Sequence, residues 1–161
     1  MEDVMTSLRD AADEFLAQHR IAVAGVSRDS KQSANLIYRR LRDTGHEVFA
    51  VNPNADSVEG DRCYESVRAI PDGVDGVVVV TAPSVAVDVV SDCAAANVPR
   101  VWLHRAFGEG SSSEEAVKLC RDGGISVIPA GCPCMFGETA DTGHKCMRAM
   151  LRVTGKLPRA V

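Results

Sequence analysis

Two rhythms of apolar and polar residues alternate along the chain. The first is the short continuous run: Ile21-Ala22-Val23-Ala24, Val48-Phe49-Ala50-Val51, Val77-Val78-Val79-Val80, Val101-Trp102-Leu103 and Ile125-Ser126-Val127-Ile128. Runs of this length, bounded by glycine, proline or polar residues, predict strands buried on both faces. The second rhythm repeats every three to four residues. Val4, Leu8, Ala11, Ala12, Phe15 and Leu16 predict a helix over 3–18. Leu36, Ile37 and Leu41 predict another, ending at Gly45. Val85, Val89, Val90 and Cys93 share one face of a helix over 84–96. Further helices are expected over 112–122, with Ser112 and Glu115 at capping-box spacing, and over 142–153. The polar stretch 54–71 reads as loop with a short helix at 65–69, and 131–141 as a turn-rich loop. The tail after Gly155 reads as frayed.

Strand and helix thus alternate five times, with no repeat, linker or low-complexity tract. One domain over 1–161 is expected: a three-layer, Rossmann-like α/β fold with a mostly parallel five-stranded sheet and an extra N-terminal helix. Parallel strands need crossovers, and helical crossovers cover both faces. Ligands of such sheets bind outside the carboxyl ends of the strands, where strand order reverses. The residues just after each strand therefore carry the functional information.

Composition narrows the choice. A chain of 161 residues buries roughly 70% of its unfolded surface and needs no staples. Aromatics are only 4%, so the core must rest on Val, Ala, Leu and Ile. The net charge of -4 argues against a nucleic-acid or anionic-membrane surface. No apolar run is long enough to span a bilayer. The acidic start Met1-Glu2-Asp3 is unlike a signal peptide, so a cytoplasmic location is expected, with the six scattered cysteines reduced.

The first strand ends in Gly25-Val26-Ser27, followed by Ser30 and Lys31. A glycine there admits a ligand close to the backbone, and the next helix offers amide groups and a partial positive charge to a phosphate. The alternative is a plain packing turn. Dinucleotide binding would need glycines at 27 and 30 and an acidic end to the second strand; serines and Asn52-Pro53 stand there instead. No Gly-Lys-Ser/Thr is present, so this is not a P-loop. Pro53 and Pro83 suit flat apolar walls or simple strand termination. His104 is either a phosphate ligand or a satisfied surface histidine.

Ala24-Gly25-Val26-Ser27 with Lys31, then Val51-Asn52-Pro53, Thr81-Ala82-Pro83 and Gly131-Cys132-Pro133 together resemble the coenzyme A (CoA) binding domain family. Its members include small stand-alone proteins and the opening domain of the succinyl-CoA synthetase alpha subunit. The resemblance spans about residues 20–137. It implies CoA or an acyl-CoA as ligand. Gly25, Val26, Ser27 and Lys31 would meet the pyrophosphate, Val51, Asn52 and Pro53 the adenosine, and Thr81, Ala82 and Pro83 the channel. The later strand ends, with His104, Gly131, Cys132 and Pro133, would lie toward the pantetheine. Ala55 and Asp56 depart from the family, whose ligase subunits tend to carry a basic residue there for the 3′-phosphate. Gln32 also stands where stand-alone members often have proline. The phosphorylated histidine of the ligases lies in a second domain, so binding without catalysis is expected. A second copy of the chain or an acyl-CoA enzyme would be the protein partner.

Two other readings compete. One is an NAD(P)-type oxidoreductase module, disfavoured by the missing glycines and acidic residue. The other is a metal or thiol-redox module built on Cys132, Cys134, His144 and Cys146, whose Cys-x-Cys…His-x-Cys spacing is uncommon for structural zinc. Glu109, Glu138 and Asp141 are loop carboxylates near the expected crevice with no evident pairing, and no Gly-x-Ser-x-Gly elbow occurs.

Overall fold

A computed structural model describes residues 5–106 and 110–161. Val4, Met1-Glu2-Asp3 and the rim carboxylate Glu109 lie outside the described residues. The elements run α1 (Leu8–Leu16), β1 (Arg20–Ala24), α2 (Ser33–Asp43), β2 (Glu47–Val51), β3 (Ser57–Val58), β4 (Asp61–Tyr64), β5 (Gly76–Val79), α3 (Pro83–Ala95), β6 (Arg100–Leu103), α4 (Glu114–Asp122), β7 (Ser126–Ile128) and α5 (Thr142–Val153). Single 3₁₀ turns occupy Val67–Ala69, Pro133–Met135 and Gly137–Thr139.

The sheet order is β3-β4-β2-β1-β5-β6-β7, with only the β3–β4 pair antiparallel. The chain leaves β1 for β2 on one side, then returns to β5 on the other. That reversal beside β1 is the switch point where a crevice opens. The expected parallel core is present, but the sheet has seven strands rather than five. The difference is the hairpin Ser57–Tyr64, whose polar edge residues hid it within a stretch read as loop.

Period-two alternation divides the strand residues between two layers. Ile21, Val23, Val78 and Trp102 face α1, α2 and α5; Ala22, Ala24, Val77, Val79, Val101 and Leu103 face α3 and α4. Trp102 anchors the first layer. Its indole Nε1 donates to the Ala130 carbonyl at 3.0 Å, and Phe15 meets it edge-on at 5.4 Å. Gly76 makes room for that Phe15 ring, because a Cβ there would lie 2.8 Å from it.

Three ends differ from expectation. Helix α1 begins at Leu8, because Ser7 caps it by accepting from the Asp10 amide. Ser113, not Ser112, caps α4, accepting from the Ala116 amide. The tail is tied down: Leu157 is buried, the Val161 amide donates to the Thr6 carbonyl and the Leu8 amide to the Arg159 carbonyl.

The edge hairpin is fixed to α2 by polar groups. Tyr38 is buried and donates to Asp61 at 2.8 Å; Arg42 donates to the same oxygen at 2.8 Å. Burial alone would raise the Asp61 carboxyl, but these two bonds outweigh it and hold the group below its usual range. Burial, with Asp61 next to it, drives the Tyr38 phenol upward. Tyr38→Phe is expected to cost about 1 kcal/mol in chemical denaturation at pH 7. Asp61 binds its proton more weakly folded than unfolded, so its contribution exists above the unfolded carboxyl range and fades as pH falls through the folded value. The gap between native and variant should therefore narrow below about pH 4. A gap that is constant through acid would refute the coupling.

Candidate functional site

A cavity of about 610 Å³ opens at the carboxyl ends of β1 and β2. Its floor includes Ala24, Gly25 and Val51; Asn52, Pro53 and Asn54 form one rim, and Val85 and Val89 of α3 another. Residues 65–68 and Thr81 complete it. The structure thus brings together Gly25, Val51, Asn52, Pro53 and Thr81. The valines of α3 were legible as one helix face, but Val85 and Val89 line the cavity while Val90 and Cys93 fill the core.

Gly25 is fixed by packing before any ligand is considered. Its φ is +106°, and a Cβ would lie 2.1 Å from the Val80 carbonyl oxygen. Its amide donates to the Val51 carbonyl at 3.0 Å, joining the ends of β1 and β2. Asn52 locks the same corner, donating through Nδ2 to the Val26 carbonyl at 3.0 Å and accepting from the Asn54 amide at 2.9 Å.

A residue that the motifs did not single out holds the turn. Asn35, fully buried on α2, accepts from the Ser27 amide at 3.0 Å and donates to the Ser27 carbonyl at 2.7 Å. The same Nδ2 donates to Glu59 at 2.8 Å, and Arg39 pairs with that carboxylate at 2.7 Å. The signal was available: Asn35 is a polar residue among the buried Ala34, Ile37, Tyr38 and Leu41. Asp29 takes the Lys31 amide at 3.1 Å. Val26 is buried, but the amides of the exposed Arg28 and Ser30 meet no acceptor among the described residues. Helix α2 has no side-chain cap and no acidic residue in its first turn. Within that turn no acidic side chain offsets its partial positive charge, although Asp29 lies just before it, bonded to the Lys31 amide and the Gln32 side chain. Ser30 and Lys31 are exposed beside it.

The cavity's charges are mixed. Glu65, Asp88 and Asp92 line it with Arg68. Asp92 is already committed, accepting from the Val67 amide at 2.8 Å and from the Arg68 guanidinium. Arg28 reaches the rim, donating to the Asn54 carbonyl at 2.6 Å. A cation therefore stands near the position where Ala55 and Asp56 supply none.

Ala82 and Pro83 open α3, with Pro83 at its first turn. That is a helix-starting role for a residue with no amide hydrogen. Ser111, buried, accepts from the Thr81 amide at 2.8 Å and donates back to its carbonyl at 2.7 Å.

His104 and Cys132 lie elsewhere, in a separate cavity of about 250 Å³ with Ser33, Leu36, Ile37, Ala106, His144 and Met147. His104 is half-buried. Burial, helped by the nearby His144, pulls its ring down to about 4, so it is neutral near pH 7 and a poor partner for phosphate. Gly131 pairs its backbone with Arg105, accepting from that amide at 3.0 Å and donating to its carbonyl at 2.6 Å. Cys132, Cys134 and His144 come together, their ligand atoms all within 4.8 Å of one another. Cys146 is exposed on α5 and is not among them, so the expected four-residue cluster is a three-residue one. A hydrogen bond between the two thiols lowers Cys134 and raises Cys132. Asp141 is not a free loop carboxylate. It caps α5 through the His144 amide at 2.8 Å and pairs with Arg40 at 3.0 Å.

A crevice at the switch point, beside a glycine turn and an uncapped helix, is the arrangement of a Rossmann-like α/β domain. The family profile described as "CoA binding domain" matches residues 19–138, and the chain belongs to that family. It is 30% identical over 145 residues to the alpha subunit of an ADP-forming acetate–CoA ligase of Pyrococcus furiosus, covering 89% of this chain and 26% of that one. The chain thus spans about a quarter of that relative's length. An uncharacterized protein of Bacillus subtilis is 27% identical, covering 68% of this chain and 78% of the other. A solved structure of a conserved hypothetical protein from Pyrococcus furiosus superposes with TM-score 0.61 at 35% identity, covering 68% of this chain and 90% of that one. No helix among the described residues is long and apolar enough to cross a membrane.

Proposed function

We propose that the chain binds CoA or an acyl-CoA, with the adenosine end in the larger cavity, and does so without catalysing a reaction. The observation that carries this reading is the coincidence of two independent facts. Membership of a CoA-binding family supports CoA as the ligand. The 610 Å³ cavity gathers Gly25, Val51, Asn52, Pro53 and Thr81 at the switch point. Its Val51, Val85 and Val89 offer apolar contact to a flat base. The pyrophosphate would lie over the Gly25-Val26-Ser27 turn, against the open amides and the start of α2. Arg28, at the Asn54 rim, is the cation placed to meet a phosphate on the ribose. A ligand-binding partner of an acyl-CoA enzyme, working in the cytoplasm, fits this reading.

CoA at 100 times its dissociation constant should stabilise the fold by about 2.7 kcal/mol. For a chain this long that is a rise of roughly 5–10 °C in Tm. NAD at equal concentration should leave Tm unchanged; a larger shift with NAD than with CoA would reject the proposal. Val85 is 47% exposed, so Val85→Glu should fold normally. The variant should bind CoA at least about tenfold more weakly, since each tenfold loss is 1.4 kcal/mol. Unchanged titration calorimetry of Val85→Glu would move the adenosine out of this cavity.

A further inference from the structure

We propose that Cys132, Cys134 and His144, with His104 as fourth ligand, bind one zinc ion in the smaller cavity beside the start of α2. The geometry is close to that required. Zn–S bonds of about 2.3 Å and Zn–N bonds of about 2.0–2.1 Å place tetrahedral ligand atoms roughly 3.3–3.8 Å apart. The three atoms present lie within 4.8 Å of one another. Binding an ion would draw the widest pair together by roughly 1 Å.

The surroundings are built as a ligand set requires. Cys132 caps the 3₁₀ turn Pro133–Met135 and Cys134 lies inside it, so the turn fixes their spacing. Both thiols are buried, at 3% and 0% exposure. His144 directs Nδ1 to both oxygens of Asp141, at 2.9 and 2.8 Å. A ring that donates from Nδ1 keeps its lone pair on Nε2, and a carboxylate behind the imidazole is the usual outer support of a metal-bound histidine. Asp141 is itself held by Arg40 and by the His144 amide. Two thiolates balance a divalent ion, so a cysteine pair with two neutral imidazoles leaves no net charge in a buried site. His104 is not within that 4.8 Å group, but it lines the same cavity as Cys132 and His144, from which its ring would turn to complete the set. None of these residues belongs to the larger cavity, so the proposal is independent of CoA binding.

The test uses the full chain, reduced and stripped with a chelator, titrated with Co²⁺ and then Zn²⁺. One Co²⁺ per chain should bind with the visible absorption of a tetrahedral ion and a thiolate charge-transfer band, and Zn²⁺ should displace it. Cys134→Ser and His144→Ala should abolish both bands, while Cys146→Ser should leave them intact. Asp141→Asn should weaken binding about 10–100-fold. His104→Ala should shift the visible bands; unchanged bands would remove His104 from the ligand set. Should a cysteine variant misfold, the native chain still decides the matter: Zn²⁺ must raise its Tm and Mg²⁺ must not. No Zn²⁺ shift, or equal Co²⁺ spectra for native and Cys134→Ser, would overturn the site.

Discussion

Gly25→Ala should be among the most damaging single-atom additions to this chain. The added Cβ would lie 2.1 Å from the Val80 carbonyl oxygen, and φ there is +106°. That oxygen is backbone and cannot swing aside, so β1 and β5 must separate at the switch point. Strained backbone of this kind costs about 1–3 kcal/mol, and the steric displacement adds to it. A total of at least about 3 kcal/mol is expected in chemical denaturation. Gly45→Ala supplies the comparison: φ is +94°, but nothing lies within 4 Å of its Cβ. It should cost only about 1–2 kcal/mol, the conformational share alone. Equal losses at the two positions would show that no steric clash operates at Gly25. The same reasoning changes what a substitution here can reveal. Because the glycine is demanded by packing, loss of ligand in a Gly25 variant cannot locate the ligand; Val85 can.

How much of this was legible depended on what kind of interaction defines each part. Strands β1, β5 and β6 are written as apolar runs because they are buried on both faces, and the residues that bury them are the pattern itself. The hairpin β3–β4 is defined by backbone pairing at an edge, and Ser57, Asp61 and Arg62 carry no apolar rhythm. Its one local signal is the Glu59-Gly60 pair, both at positive φ, which is the backbone of a tight hairpin turn. Strand order was not legible at all, since it depends on which crossovers pack where. The strand-end motifs did lead to one side of the larger cavity. The other side, Val85 and Val89, looked like ordinary helix core because exposure cannot be read from periodicity alone. Cys132, Cys134 and His144 illustrate the reverse. Their spacing is uncommon for zinc, yet a 3₁₀ turn and the first turn of α5 bring them together.

Asn35 lets the turn's architecture be tested without touching its glycine. Asn35→Ala removes three hydrogen bonds and leaves the Ser27 amide and carbonyl without their partners. Each buried group left unsatisfied costs about 1–3 kcal/mol, so for the two a loss of roughly 2–6 kcal/mol is expected. Asn35→Asp sharpens the test, because it keeps the shape and the acceptor for the Ser27 amide. Its second oxygen, however, would face the Ser27 carbonyl at 2.7 Å and the Glu59 carboxylate at 2.8 Å, where an NH₂ now donates to both. Like charge and burial both raise the folded pKa of that new carboxyl above its unfolded value. The folded state then binds the extra proton more tightly, so the penalty is full at pH 7 and shrinks as pH falls toward the raised folded value. Asn35→Asp should therefore be less stable than Asn35→Ala at neutral pH and recover against it in acid. Denaturation midpoints at pH 7 and pH 5 decide the point. If Asn35→Asp matches the native protein at pH 7, Asn35 does not hold the turn through donation, and the Ser27 amide and carbonyl must be fixed by the backbone of α2 alone.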